Sequence, residues 1–106
     1  MAVMVDLFLA SNLPPKRTGL PICVWISTQL DDGSVRIWVS HSAHASPSEF
    51  VTVSIQTDVR ILNGEMADND LELLRRWVSL NHDTIVKHWQ GEIPFSQDAI
   101  AAIVPL

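Results

Sequence analysis

The sequence predicts an α+β fold in which a small, mostly antiparallel sheet of four to five strands packs against a C-terminal helix pair. Two patterns predict it. Between residues 22 and 62 apolar side chains alternate with polar ones, which is the period of strands. After residue 68 they recur every three or four residues, which is the period of an amphipathic helix. A chain of 106 residues suffices for one core, so we expect residues 1–106 to form a single domain.

The first strand is predicted at residues 3–9, and the proline-rich segment 11–21 is predicted to be a connecting loop. A hairpin follows. Its strands are predicted at 22–30 and 34–40, joined by Asp32-Gly33, a dipeptide typical of tight hairpin turns.

The hairpin is followed by a polar segment, 41–49, which predicts a loop. Two more strands are expected at 50–55 and 59–62, with a turn at 56–58 between them.

The helical region is predicted either as two helices or as one bent helix. Asp68 or Asn69 is expected to cap the start, and Gly91 to end the region. Asn81 could cap a second helix over 82–90. The apolar stripe consists of Leu71, Leu73, Leu74, Trp77, Val78, Leu80, Ile85, Val86 and Trp89.

Several side chains on these helices have predicted roles. Trp77 and Trp89 are expected in the core. Two ion pairs at four-residue spacing are expected on solvated surface, and His88 is expected to face solvent. The apolar tail segment 100–104 is predicted to pack back on the core. The expected ion pairs are Glu72–Arg76 and Asp83–Lys87.

Trp25 and Trp38 fall on the less apolar face of the predicted hairpin. Two exposed indoles would leave a large apolar patch, so we expect this face to be covered by the tail, by a second copy or by another protein. Because tryptophan is favoured where binding energy concentrates, Trp25 and Trp38 are the candidate partner-binding residues.

A second candidate site lies in the 41–49 loop, where His41 and His44 are three residues apart. Zinc takes three or four protein ligands, so these two are weak metal candidates and we assign no metal. Cys23 lies in a strand without a neighbouring charge, which favours a small buried side chain over a nucleophile. No catalytic residue and no cofactor is predicted.

The segment 59–106 carries an Asn63-Gly64 turn, a helix with Leu and Trp six residues apart, an Asn81-His82 segment ending in Trp89, and a closing stretch at 103–106. In these features it resembles a family of short bacterial and archaeal proteins known only as a domain of unknown function. The family's upstream Pro-Pro-His-x-His-Ala segment is matched here only by His44 and the alanine after it. The resemblance implies the fold and a two-gene arrangement of toxin–antitoxin type, but no activity.

The net charge and the cysteine content limit the functions that the sequence can support. A net charge of −5 disfavours phosphate-backbone binding, and the single cysteine indicates a reducing compartment. We expect a cytoplasmic, non-membrane protein that acts as a non-enzymatic protein-interaction module, with a homodimer or another protein as partner. The alternative is a nucleic-acid-binding or metal-dependent regulator, in which Arg75, Arg76 and Lys87 would lie on a helix-turn-helix. A small-molecule enzyme is the third hypothesis.

Overall fold

A computed structural model describes residues 10–28, 34–41, 49–93 and 95–106. Its five antiparallel strands lie in chain order across one sheet, and helices complete the fold, so the predicted α+β class is confirmed. The strands are β1 Ala10–Leu13, β2 Cys23–Ser27, β3 Arg36–Ser40, β4 Val51–Ser54 and β5 Arg60–Asn63. The helices are α1 Pro15–Thr18, α2 Asp68–Trp89 and α3 Ser96–Ala102.

The predicted hairpin is confirmed in its strands. β2 and β3 pair with Val24 opposite Val39 and Trp25 opposite Trp38, so alternation assigns each residue to the expected face. The Asp32-Gly33 turn lies outside the described residues. β4 and β5 are likewise confirmed, with residues 56–58 between them.

The predictions for the N-terminal region need correction. The strand expected at 3–9 lies outside the described residues, and part of the segment expected to be a loop is instead β1 and α1. Leu13 is fully buried and pairs with Val24, which gives β1 its place in the sheet. Pro15 can begin α1 because the first turn of a helix needs no amide donor, and Gly19 ends that turn at φ +77°. Prolines therefore begin a helical turn here.

α2 is one continuous helix through Asn81, which decides between the two alternatives. The capping prediction is wrong. Ala67 is the N-cap residue and no side chain caps the helix, while Asp68 and Asp70 lie in the first turn, where the helix dipole favours them. Gly91 follows the helix end at φ +84°. The C-terminal helix pair therefore consists of α2 and α3, and α3 lies in the segment that was expected to be a tail rather than within residues 82–90.

The buried side of α2 is narrower than predicted and includes two polar residues. Leu80 is exposed rather than part of the stripe, and Asn81 and His88 are buried. The core positions of Trp77 and Trp89 are confirmed. The buried residues of α2 are Leu74, Trp77, Val78, Asn81, Ile85, His88 and Trp89.

Both faces of the sheet carry buried side chains. On one face Val24, Ile37 and Val53 are inaccessible to solvent. On the other, Trp38 is only 3% exposed and its ring centroid lies 6.5 Å from that of Trp89. The prediction that Trp38 is covered is therefore confirmed. The cover is α2 of the same chain, not the tail, a second copy or another protein.

The tail packs back in part, as expected. Ala99 of α3 and Ile103 just after it are buried, whereas Val104 and Leu106 are about half exposed. Residues 103–106 follow α3 outside any helix or strand and lie near both α1 and α2, and we refer to them as the C-terminal segment.

Candidate functional sites

The two candidate tryptophans lie side by side on one sheet face but differ in accessibility. Trp38 is enclosed by Trp89, over which the Arg36 guanidinium also lies, with its Cζ 5.3 Å from the ring centroid. Trp25 is half-buried, packs edge-to-face on Phe50 at 5.3 Å and donates its Nε1–H to Ser40 Oγ. Their partner-binding role stays a prediction, and of the two only Trp25 retains accessible surface.

His41 is exposed beside a cavity of about 60 Å³, whose lining also includes Glu49, Glu65 and Asp70. His44 lies outside the described residues. Within the described part of the chain, no three His, Cys, Asp or Glu side chains are grouped so as to hold a metal ion. His41 and His44 therefore stay weak metal candidates to which no metal is assigned.

The two helical histidines have structural partners that the sequence analysis missed. His88 was expected to face solvent, which is wrong: it is buried, and its Nδ1 lies 2.6 Å from the carbonyl oxygen of Ile93. His82 lies within α2, with Nε2 2.8 Å from the carbonyl oxygen of Ile55. Since a carbonyl can only accept, each of these ring nitrogens donates. The rings therefore hold the 91–93 turn and the end of β4 against α2.

Cys23 is a buried free thiol, as predicted. Burial raises its pKa above the ordinary value, because desolvation disfavours the thiolate. The protonated thiol is a poor nucleophile, and Cys23 is therefore expected to be unreactive in the folded protein.

The helix-turn-helix hypothesis for the basic residues is wrong, because α2 has no turn at residues 80–83. Both predicted ion pairs are confirmed: Arg76 Nε lies 3.7 Å from Glu72 and Lys87 Nζ lies 3.1 Å from Asp83. These two basic residues are thus matched by carboxylates on the same helix.

A cleft of about 280 Å³ opens between the β4–β5 turn and the middle of α2. The helix supplies Arg75, Val78, Ser79 and His82, which are three or four residues apart and so share one side of α2. The turn supplies Ile55, Thr57, Asp58 and Val59. The sequence carries no motif for this cleft, because its two walls come from segments that are far apart in the chain.

Asn81 fixes the C-terminal segment to α2. Its Nδ2 donates to the carbonyls of Trp77 and Val104, at 2.9 and 2.8 Å, and its Oδ1 accepts from the Val104 amide at 2.7 Å. At the other end of the segment, the Leu106 amide donates to the Thr18 carbonyl at 2.7 Å. The segment is therefore bound to both α1 and α2.

Three exposed apolar side chains accompany this attachment, and we call them the C-terminal surface: Leu80, Val104 and Leu106. Leu80 directly precedes Asn81 in α2, and Asn81 is the residue whose side-chain amide binds the Val104 backbone. Leu80 is 54%, Val104 49% and Leu106 43% exposed.

No family model, curated protein or solved structure matches the chain. The resemblance to the domain-of-unknown-function family therefore stays a prediction. Among the described residues, no helix is both long and apolar enough to cross a membrane.

Proposed function

We propose that the chain is a non-enzymatic protein-interaction module that binds a second copy of itself through the C-terminal surface. The observation that carries the proposal is the exposure of Leu80, Val104 and Leu106, while hydrogen bonds hold the backbone of the C-terminal segment to α1 and α2. Exposed apolar surface is typical of protein contacts. A closed twofold dimer is the commonest way for a soluble chain to bury such a surface.

The hydrogen bonds around Asn81 and Thr18 support this choice of surface. They fix the backbone of the C-terminal segment before any partner arrives. Association then costs less conformational entropy than it would for a free tail, and more of the energy of apolar burial remains for binding.

Two finer statements belong to the same proposal. The protein acts in the cytoplasm, where its one cysteine stays reduced. It is also one member of a toxin–antitoxin-like pair, as the resemblance implies, and the second small protein then competes for the C-terminal surface. Co-expression with the product of the adjacent gene would show that competition as a loss of self-association.

Sedimentation velocity tests the dimer. The wild-type chain is expected to dimerise with an interface of roughly 1,200–2,000 Å² in total, and Leu80→Asp and Val104→Asp are expected to shift it to monomer. Leu62→Asp is the matched control, because this leucine of β5 is 52% exposed, close to the value for Leu80, but lies outside the C-terminal surface. A wild-type monomer at high concentration would refute the proposal, as would equal disruption by Leu62→Asp.

A further inference from the structure

The cleft between the β4–β5 turn and α2 has an apolar floor. Ile55, Val59 and Val78 line it, and all three side chains are almost fully buried. A ligand that places an aliphatic or aromatic group there would remove apolar surface from water, which is favourable. At about 280 Å³, the cleft is just below the range usual for drug-sized ligands, so it suits a smaller molecule.

The rim of the cleft presents one positive and one negative group. Arg75 Nη1 lies 3.9 Å from Asp58 Oδ1, too far for a hydrogen bond, and that oxygen accepts instead from the Val59 amide at 2.8 Å. Within the described part of the chain, the Arg75 guanidinium donates no hydrogen bond. Such an exposed ion pair is weak, so either group can take a better partner.

His82 joins the two walls of the cleft, because its Nε2–H donates to the Ile55 carbonyl oxygen. The ring is only partly buried, and it lines the same cleft as Arg75 and Asp58. The site thus offers a guanidinium for an anion and a carboxylate for a cation, with the His82 ring beside them.

We propose that this cleft binds a free α-amino acid with an apolar side chain. The ligand's carboxylate pairs with Arg75, its ammonium group pairs with Asp58, and its side chain lies on the floor made by Ile55, Val59 and Val78. An α-amino acid carries both charges on one carbon, which matches a site whose two charged groups are close together. This site is distinct from the C-terminal surface and does not depend on dimerisation.

Titration of the wild-type chain with three probes, followed by amide chemical shifts in NMR spectra, tests the ligand class. The probes are L-leucine, isocaproate, which lacks the ammonium group, and isoamylamine, which lacks the carboxylate. L-leucine is expected to shift residues that line the cleft, and each one-ended analogue is expected to bind about tenfold more weakly, since one charged contact is lost. Equal binding of isocaproate and L-leucine would overturn the zwitterion assignment.

Two variants test the residues. Arg75→Gln and Asp58→Asn are each expected to weaken L-leucine binding about tenfold. Arg76→Gln is the matched control, because Arg76 is the next arginine on α2, does not line the cleft and pairs with Glu72. The proposal fails if L-leucine causes no shifts up to about 10 mM, or if Arg76→Gln weakens binding as much as Arg75→Gln.

Discussion

Replacement of Asn81 by alanine tests whether one buried amide holds the C-terminal segment in place. The change removes both hydrogen bonds to the Val104 backbone, and each contributes about 1 kcal/mol net. The Trp77 carbonyl loses only a second donor, because it can still accept within α2. With the small void that the shorter side chain leaves, we expect Asn81→Ala to lower the free energy of unfolding by about 2–3 kcal/mol.

Urea denaturation measures this loss, and hydrogen exchange locates it. In the wild type the Val104 amide hydrogen should exchange slowly with solvent. In Asn81→Ala it should exchange at the rate of an unprotected amide, because its acceptor is gone. Asn81→Asp should destabilise the fold more than Asn81→Ala, since a carboxylate oxygen would then face the carbonyls of Trp77 and Val104.

Asn69→Ala is the control, because Asn69 lies on the same helix, is exposed and caps nothing. It should change the free energy of unfolding by less than about 0.5 kcal/mol. The reasoning is refuted if Asn81→Ala unfolds at the wild-type urea concentration while the Val104 amide stays protected.

Three further predictions concern the core, the thiol and the C-terminal contact. Trp77→Ala and Trp89→Ala should each cost about 3–5 kcal/mol in denaturant unfolding, and unchanged midpoints would contradict the packing described above. Cys23 should react with a thiol reagent only after unfolding. Because its pKa is raised in the folded state, the free energy of unfolding should fall above pH about 8.5, relative to Cys23→Ala, as the unfolded thiol ionises first. This prediction would be contradicted if the difference in the free energy of unfolding between the wild type and Cys23→Ala did not change with pH. Gly19→Ala should destabilise the chain more than Gly91→Ala, since both have positive φ but a Cβ at residue 19 would lie 2.8 Å from the Leu106 carbonyl oxygen, whereas at residue 91 it meets nothing. If thermal unfolding showed the same loss of stability for Gly19→Ala and Gly91→Ala, the contact between residue 19 and Leu106 would be contradicted.

The sequence predicted those parts of the fold that depend on neighbours in the chain. Strand alternation placed Trp25 and Trp38 on one face, and the register confirms it. Helical spacing identified Trp77 and Trp89 as core, because a periodic apolar stripe has to be buried somewhere. The prolines at positions 14 and 15 predicted a loop, because proline interrupts the interior of a helix or a central strand. The start of a helix tolerates proline, and α1 begins at Pro15.

Asn81 and His88 were missed although the sequence carried a signal for both. They continue the buried stripe of α2 at three- or four-residue spacing, whereas Leu80 falls outside it. Because both residues are polar, only local roles were predicted for them. Asn81 was expected to cap a helix, and His88 was expected to face solvent. Their actual partners are backbone groups of Val104 and Ile93, and such a partner lowers the cost of burying a polar side chain. The stripe predicts burial, but it does not identify a partner 23 residues away.

The candidate sites were harder to predict because each depends on a tertiary contact rather than on a motif. Arg75 and Asp58 are 17 positions apart and come within 3.9 Å of each other where His82 binds the backbone just after β4. Val104 is held at α2 by Asn81, the residue after the exposed Leu80. In both places a polar side chain of α2 binds a backbone group from a distant segment, and that bond places the accessible residues. Changes to Asn81 should therefore alter the C-terminal surface and leave the cleft intact, and changes to His82 should do the reverse.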